Sequence, residues 1–226
     1  MCSTPSRPSS SISGHLFVVR YNLPLGIGSN ESIFRPAASG RDLIPSEITV
    51  AIIGAGPLGR SLALRAARVG FRVVLEDVMP ASLRHAEEAL REALGPEAMP
   101  LVAFAGTVEE AVRQADLAID CVPDELESKL EIFSLLDRMA PPRTVFATPS
   151  TNLSIADLAS CTYRPSQCIG LAVDAARLSS EPAGSTIPIR VTSQTTAETQ
   201  AIVCNFWQLL GYAPLVTLDE TETMLR

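Results

Sequence analysis

Short apolar runs alternate with longer amphipathic stretches from residue 47 onward. Apolar runs of four to eight residues are typical of buried strands, and stretches with one apolar face are typical of helices. This pattern predicts strands near 48–53, 71–76, 100–105, 116–122, 143–147, 167–172, 187–192 and 213–217. It predicts helices near 57–69, 80–94, 107–114, 124–139, 153–160 and 195–210. Such alternation indicates an α/β fold with a doubly wound, mostly parallel sheet.

Polar residues and glycine mark the ends of two predicted helices. Thr107 and Glu110 have the spacing of a capping box, and so do Thr195 and Glu198. Gly211 follows the last helix, where glycine commonly serves as a C-cap. We therefore expect helices to begin at both boxes and the last one to end at Gly211.

The first part of the chain differs from the rest. Residues 1–46 begin with a Ser/Pro-rich stretch that has too few apolar groups to order itself, so we expect a partly disordered N-terminal extension. Its prolines argue against the amphipathic helix of an organelle transit peptide. A single domain over 47–219 and a short tail over 220–226 are expected to follow.

Composition excludes several classes of protein. The net charge of −7 argues against nucleic acid as a partner, because phosphate backbones attract basic surfaces. The sequence has no run of about 18 apolar residues, so no membrane span is predicted. Its five cysteines lack C-x-x-C spacing, which predicts no metal site and favours a reducing, cytoplasmic location.

A glycine-rich loop follows the first predicted strand. Gly54 permits a tight turn, Gly56 allows backbone to approach a diphosphate, and Gly59 lets the next helix pack closely on the strand. Pro57 and Leu58 then open that helix, whose free N–H groups would face the phosphate charge. Strand, loop and helix together predict a dinucleotide site in a Rossmann-type fold.

The second predicted strand ends in two acids. Asp77 lies 23 residues after Gly54, where a carboxylate accepts hydrogen bonds from the ribose hydroxyls of a dinucleotide. It would repel a 2′-phosphate, and no arginine follows before Arg84, so NAD is favoured over NADP. Glu76 alternates to the other face of the strand and is expected at its rim.

The exit of the fourth strand is a second candidate contact region. Val122 and Pro123 end this strand at the sheet edge where α/β proteins bind ligands. Asp124 and Lys129 follow, and Lys129 is the only lysine beside 17 arginines. Both side chains are candidates for the nicotinamide half of the cofactor. The alternative is an N-cap role for Asp124 and a solvated surface position for Lys129.

Six segments occur in the order that one known family shows: I-G-A-G-P-L-G-R, V-V-L-E-D, A-D-L-A-I-D-C-V-P-D-E-L-E-S-K-L-E-I-F, L-D-R-M-A-P-P-R-T-V-F-A-T, L-S-I-A-D-L-A and R-P-S-Q-C-I-G-L. Through them, residues 47 to about 219 resemble the NAD-binding domain of the 3-hydroxyacyl-CoA dehydrogenases. The resemblance implies NAD as cofactor, with Asp124 and Lys129 at the family's cofactor-contacting carboxylate and lysine. We expect Lys129→Ala to weaken NADH affinity and to leave the fold intact.

The resemblance breaks where the family's catalytic residues should lie. A histidine oriented by a glutamate removes the proton from the substrate's 3-hydroxyl in that family, and a serine helps to hold the hydroxyl. This chain has Ala172 in the histidine's place, and Pro188 or a neighbour in the glutamate's. Thr151 retains a hydroxyl at the serine position. Asp174 is a speculative substitute base, although a strand-end aspartate is more often a turn residue.

Two functions remain open from the sequence. One is a divergent oxidoreductase acting on a hydroxyacyl-type substrate, with an acyl-CoA-type ligand and a helical-domain partner chain or a homodimer. The other is a catalytically inactive NAD(H)-binding module that senses the cofactor or modulates a partner protein. A flavin-binding fragment is weaker, because the downstream segments match the NAD-dependent family.

Overall fold

The computed structural model describes residues 43–221, 223 and 224. Most of the expected extension over 1–46 therefore lies outside the described residues, as do His15, Cys2 and part of the tail. The strands are β1 Thr49–Ile53, β2 Arg72–Glu76, β3 Val102–Ala105, β4 Leu117–Asp120, β5 Val145–Pro149, β6 Cys168–Leu171, β7 Thr186–Val191 and β8 Ala213–Leu218. The α-helices are α1 Pro57–Val69, α2 Pro80–Ala93, α3 Val108–Val112, α4 Leu126–Met139, α5 Ile155–Ser160, α6 Ala175–Ser180 and α7 Ala197–Leu209.

The strands form one mixed sheet in the order β3-β2-β1-β4-β5-β6-β7-β8. The first six strands along the chain are parallel, β7 runs antiparallel to β6, and β8 is parallel to β7. The direction of winding changes between β1 and β4, as in doubly wound dinucleotide-binding sheets. The predicted fold class, α/β with a mostly parallel Rossmann-type sheet, is confirmed.

Helices cover both faces of the sheet, and β1 is therefore buried on both sides. Val50 and Ile52 belong to an apolar cluster with residues of α1, α2 and α7, including Trp207. Ala51 and Ile53 belong to a second cluster with residues of α3, α4 and α5, including Phe133. Strands buried on both faces carry continuous apolar runs, which is why the sequence reads T-V-A-I-I here. The packed sheet fixes the positions of the strand ends.

The boundaries of the later elements differ in detail from the prediction. Thr107 caps α3 as expected, its hydroxyl accepting a hydrogen bond from the amide of Glu110 at 3.3 Å. The capping box at Thr195 is wrong: Thr196 is the N-cap of α7, and the hydroxyl of Thr195 donates to the carbonyl of Cys168 instead. Gly211 lies just beyond α7 with φ of +89°, a conformation that suits glycine at a helix end.

Three further structural features bear on the expected protein class. Within the described part of the chain, no helix is long and apolar enough to span a bilayer. The same residues contain no group of three or more His, Cys, Asp or Glu side chains able to hold a metal ion. Cys168 and Cys204 are buried, and burial raises their pKa values to about 12 and about 11, so both remain thiols at neutral pH.

Candidate functional site

A cavity of about 870 Å³ opens at the carboxyl ends of β1, β2 and β4. A second cavity, of about 210 Å³, lies beside Thr49 and α3. Several of the predicted contacts line the larger one: Gly54, Gly56, Pro57, Asp77, Val122 and Pro123. This is the switch point of the sheet, where open α/β folds bind their ligands. The structure therefore brings most of the predicted cofactor residues together.

The three glycines of the loop meet different surroundings. Gly54 has φ of +104°, and a Cβ there would lie 3.0 Å from the carbonyl group of Cys121. A Cβ on Gly59 would lie 1.9 Å from the carbonyl oxygen of Gly54, so α1 packs closely against the end of β1. A Cβ on Gly56 would meet nothing within 4 Å. Gly54 and Gly59 are thus needed by the fold, whereas Gly56 leaves open space beside the cavity.

Helix α1 begins without a side-chain cap. At α3, α5, α6 and α7 the N-cap side chain accepts a hydrogen bond from an amide of the first turn. At α1 the N-cap is Gly56, Pro57 follows, and the first turn has no acidic residue. The first amides of a helix have no intrahelical acceptor, so those of Leu58 and Gly59 are suited to an external anion. Nearby, Nη1 of Arg60 donates to the carbonyl oxygen of Ala55 at 3.2 Å.

Asp77 is tied to the same loop. Its Oδ2 accepts a hydrogen bond from the amide of Ala55 at 2.9 Å, and its Oδ1 accepts one from the amide of Met79 at 2.8 Å. The carboxylate is therefore held in position at the end of β2, facing the cavity. Each of its oxygens keeps a second lone pair for a ligand hydroxyl.

Glu76 also lines the cavity and is buried, so the expectation that it is a rim residue is wrong. It is the last residue of β2, and its side chain is only 4% exposed. The chain turns after Glu76, so both acids reach the same cavity despite their alternation along the sequence. Burial raises the pKa of Glu76 to about 7, and the neighbouring charge of Asp77 adds to the increase.

Lys129 is fully buried, so its alternative assignment to the solvated surface is wrong. Its Nζ lies 3.2 Å from Oδ2 of Asp120 and donates to the carbonyl of Val122 at 3.4 Å. Asp120 also accepts hydrogen bonds from the amide of Val122 and from the hydroxyl of Thr148. Lys129 does not line the cavity but holds the strand exit that does.

Asp120 is a residue that the sequence reasoning missed. Its side chain is fully buried at the end of β4, and burial raises its pKa while the charge of Lys129 acts in the opposite direction. A carboxylate inside the apolar run L-A-I-D was the available signal, since a buried acid requires a partner. The sequence alone does not show that Asp120 and Lys129 come together.

Asp124 is exposed and is absent from the cavity lining. Helix α4 begins at Leu126 with Glu125 as its N-cap, so the alternative role of Asp124 as N-cap is wrong. Val122 and Pro123, in contrast, do form part of the cavity wall. At this strand exit, backbone and apolar groups rather than a carboxylate contact the cavity.

Thr151 is exposed in the turn after β5. Ser150 before it is buried, and its hydroxyl accepts hydrogen bonds from the amides of Asn152 at 3.3 Å and Leu153 at 3.0 Å. Ser150 therefore shapes the turn, and Thr151 is the neighbouring residue whose hydroxyl reaches solvent.

The family resemblance places the histidine position at Ala172 and the glutamate position at Pro188 or a neighbour, and Ala172 and Pro188 lie side by side. The amide of Ala172 donates to the carbonyl oxygen of Pro188 at 3.0 Å, across the β6–β7 pair. Asp174 caps α6, its Oδ1 accepting a hydrogen bond from the amide of Arg177 at 2.7 Å. Asp174 therefore has a structural role at the start of α6, which is closer to the expected turn residue than to a substitute base. His85, the one histidine within the described residues, is exposed on α2.

The family model for the NAD-binding domain of 3-hydroxyacyl-CoA dehydrogenase matches residues 49–220. A probable 3-hydroxybutyryl-CoA dehydrogenase of Bacillus subtilis is 30% identical over 54% of this chain and 47% of its own length. The mitochondrial hydroxyacyl-coenzyme A dehydrogenase of Sus scrofa is 28% identical over 81% of this chain and 62% of its own length. The chain thus spans between about half and two thirds of these relatives.

A solved structure gives the same picture of the fold. The 3-hydroxyacyl-CoA dehydrogenase of Archaeoglobus fulgidus superimposes with a TM-score of 0.64 and 26% identity, covering 77% of this chain and 57% of the other. The residues matched by the family model run from β1 to β8.

Proposed function

Because the chain belongs to the 3-hydroxyacyl-CoA dehydrogenase family through its NAD-binding domain, we propose that it is a divergent NAD(H)-dependent oxidoreductase for a hydroxyacyl-type substrate. The observation that carries the proposal is the uncapped start of α1 at the edge of the large cavity. The open space at Gly56 and the free amides after it fit a diphosphate. NAD, when bound, supplies the acceptor or donor of the hydride.

Each predicted contact then has a distinct role. Gly54, Gly56 and Pro57 shape the loop so that the backbone amides of Leu58 and Gly59 face the diphosphate, as in the glycine loops of Rossmann folds. The fixed carboxylate of Asp77 accepts hydrogen bonds from the ribose hydroxyls.

At the nicotinamide half, Val122 and Pro123 form the wall, and Asp124 is proposed as a contact from the exposed turn. Lys129 acts through the strand exit, which it holds by its bonds to Asp120 and Val122. Thr151 offers a hydroxyl to the substrate, and this assignment rests on the family resemblance.

The acid–base part of the site is reduced. General base catalysis contributes about 10²–10⁴-fold to a reaction of this kind. Neither Ala172 nor Pro188 has a side chain that titrates, and Asp174 is engaged as a helix cap. The second candidate function, an NAD(H)-binding module without chemistry, rests on these three residues alone, whereas the dehydrogenase relatives favour the first.

We expect the unmodified chain to reduce acetoacetyl-CoA with NADH at a rate near background. Introducing the pair by Ala172→His with Pro188→Glu is expected to raise this rate on the order of 10²-fold, because the two positions adjoin across β6 and β7. A spectrophotometric assay of NADH oxidation measures both. The matched control is Ala176→His with Pro182→Glu, which places the same groups at exposed positions. Rapid turnover by the unmodified chain would show that Ala172 is not the vacant base position.

We infer an acyl-CoA-type small molecule as ligand and either a helical-domain partner chain or a homodimer, in the cytoplasm. The chain spans 47% and 62% of the length of the two relatives. In those relatives, the remaining length is available for contacts with a ligand or a second subunit. Exposed apolar side chains near the end of the described chain, including Leu215 and Leu218, provide a surface for them.

A further inference from the structure

Two neighbouring carboxyl groups border the cavity beside the glycine loop. Glu76 pairs with Ile53 across β1 and β2, and the amide of Gly54 donates to its carbonyl oxygen at 2.9 Å. Its side chain is almost completely buried and lines the cavity together with Asp77 and Gly56. Glu76 therefore lies beside the part of the cavity where the proposed function places the diphosphate.

No cation compensates an ionised Glu76 within this cavity. Of the cavity's lining residues, all within the described chain, none is Lys or Arg. The other ionisable groups that face the cavity are Asp77 from the end of β2, Glu109 from α3, Glu131 from α4 and the thiol of Cys121 after β4. On α1, the guanidinium of Arg60 bonds to the carbonyl of Ala55. An ionised Glu76 would thus add a further negative charge to an acidic cavity.

Glu76 is the carboxyl group of this cavity whose protonation is altered by burial. Asp77 beside it accepts two backbone N–H bonds. Burial raises the pKa of Glu76 to about 7, with the charge of Asp77 adding to the effect. Burial also raises the pKa of Cys121, so this thiol does not titrate near neutral pH. Of Glu76 and Cys121, Glu76 is the one whose charge changes within the physiological range.

We propose that Glu76 is a proton-linked determinant of cofactor affinity: its neutral carboxyl accommodates the diphosphate, and its ionised carboxylate opposes it. The proposal rests on the NAD site proposed above. Two negative charges brought to the loop disfavour ionisation of Glu76 further, so binding takes up a proton above pH 7. Affinity is then constant below pH 7 and decreases above it.

The inference is tested by calorimetric titration of the full chain with NADH at pH 6.5, 7.5 and 8.5. For the unmodified chain, affinity is expected to fall roughly tenfold over this range. Glu76→Gln keeps the shape of the neutral carboxyl. This variant is expected to bind NADH with nearly the same affinity at all three pH values. Glu88→Gln, which removes an exposed carboxylate of α2 outside the cavity, is expected to behave like the unmodified chain.

Proton uptake provides an independent readout. Titrations at pH 8 in two buffers of different ionisation enthalpy should show close to one proton taken up by the unmodified chain and none by Glu76→Gln. Thermal unfolding checks the fold of the variant. Folded Glu76 has a raised pKa, so its contribution to stability is present at low pH and is lost as pH rises through about 7. Glu76→Gln should therefore unfold at the same or a higher temperature than the unmodified chain at pH 8.5.

Two results would overturn the inference while leaving the cofactor proposal intact. The first is NADH affinity in the unmodified chain that does not change with pH. The second is a decrease in the NADH affinity of Glu76→Gln with rising pH that is as large as the decrease in the unmodified chain. Failure of all three proteins to bind NADH at any pH would instead overturn the cofactor proposal, and the inference with it.

Discussion

Replacing Lys129 with methionine is expected to lower the free energy of unfolding by about 3–5 kcal/mol, the usual cost of leaving one charge of a buried ion pair without its partner. Lys129 and Asp120 are both fully buried, with Nζ and Oδ2 3.2 Å apart. Methionine preserves most of the aliphatic stem, so the loss reflects the charge of Asp120 rather than a cavity. Urea unfolding followed by circular dichroism measures it.

Two controls separate the ion pair from general disturbance. Asp120→Asn combined with Lys129→Met removes both charges, and this double variant is expected to regain most of the lost stability. Arg91→Met breaks an exposed ion pair with Glu87 and should change the free energy of unfolding by about 1 kcal/mol or less. A loss below about 1 kcal/mol for Lys129→Met would contradict a structural role for this pair. The sequence alone led us to expect that Lys129→Ala leaves the fold intact. The buried ion pair instead predicts that loss of Lys129 destabilises the fold.

Gly56→Ala is expected to weaken NADH binding about 10- to 100-fold without lowering the temperature of unfolding. The φ of Gly56 is −66°, which alanine adopts readily, and its Cβ would meet nothing within 4 Å. That Cβ would occupy the space through which a diphosphate approaches the amides of α1. Charge-assisted hydrogen bonds of this kind are worth about 1.5–3 kcal/mol each. Calorimetry with NADH and thermal unfolding measure the two effects separately.

Other glycines provide the matched controls for this prediction. A Cβ on Gly95 also meets nothing within 4 Å, and Gly95 lies outside the cavity, so Gly95→Ala should change neither binding nor unfolding. Gly59→Ala should impair both, because its Cβ would lie 1.9 Å from a backbone oxygen that cannot move aside freely. Unchanged NADH affinity in Gly56→Ala would show that the ligand does not approach this loop.

The sheet and the glycine loop were predictable because their signals are local. Strands buried on both faces carry uninterrupted apolar runs, and β1 is such a run. The loop has glycine where the backbone requires it, at the positive φ of Gly54 and at the close approach of Gly59. Helix α6 was missed because Asp174 was interpreted as a turn residue at the end of a strand, whereas it is the N-cap of this helix.

The electrostatic part of the site depends on contacts that the sequence does not reveal. Helical spacing does not tell whether the ammonium of Lys129 points to water or to Asp120, nine residues earlier in the chain. Strand alternation placed Glu76 away from Asp77, yet the chain turns after Glu76 and brings both to one cavity. The spacing of Thr195 and Glu198 favoured Thr195 as the cap of α7, but the hydroxyl of Thr195 bonds to Cys168 and Thr196 is the cap.

The central claim is that the amides after β1, with the carboxylate of Asp77, form an NAD site. Calorimetric titration of the unmodified chain with NADH and NADPH at pH 7 tests it most directly. We expect NADH to bind with a Kd below ~1 mM. NADPH should bind at least about tenfold more weakly, because the carboxylate of Asp77 would repel a 2′-phosphate and no Lys or Arg lines the cavity. Absence of NADH binding at millimolar concentration, or equal affinity for NADPH, would contradict the account.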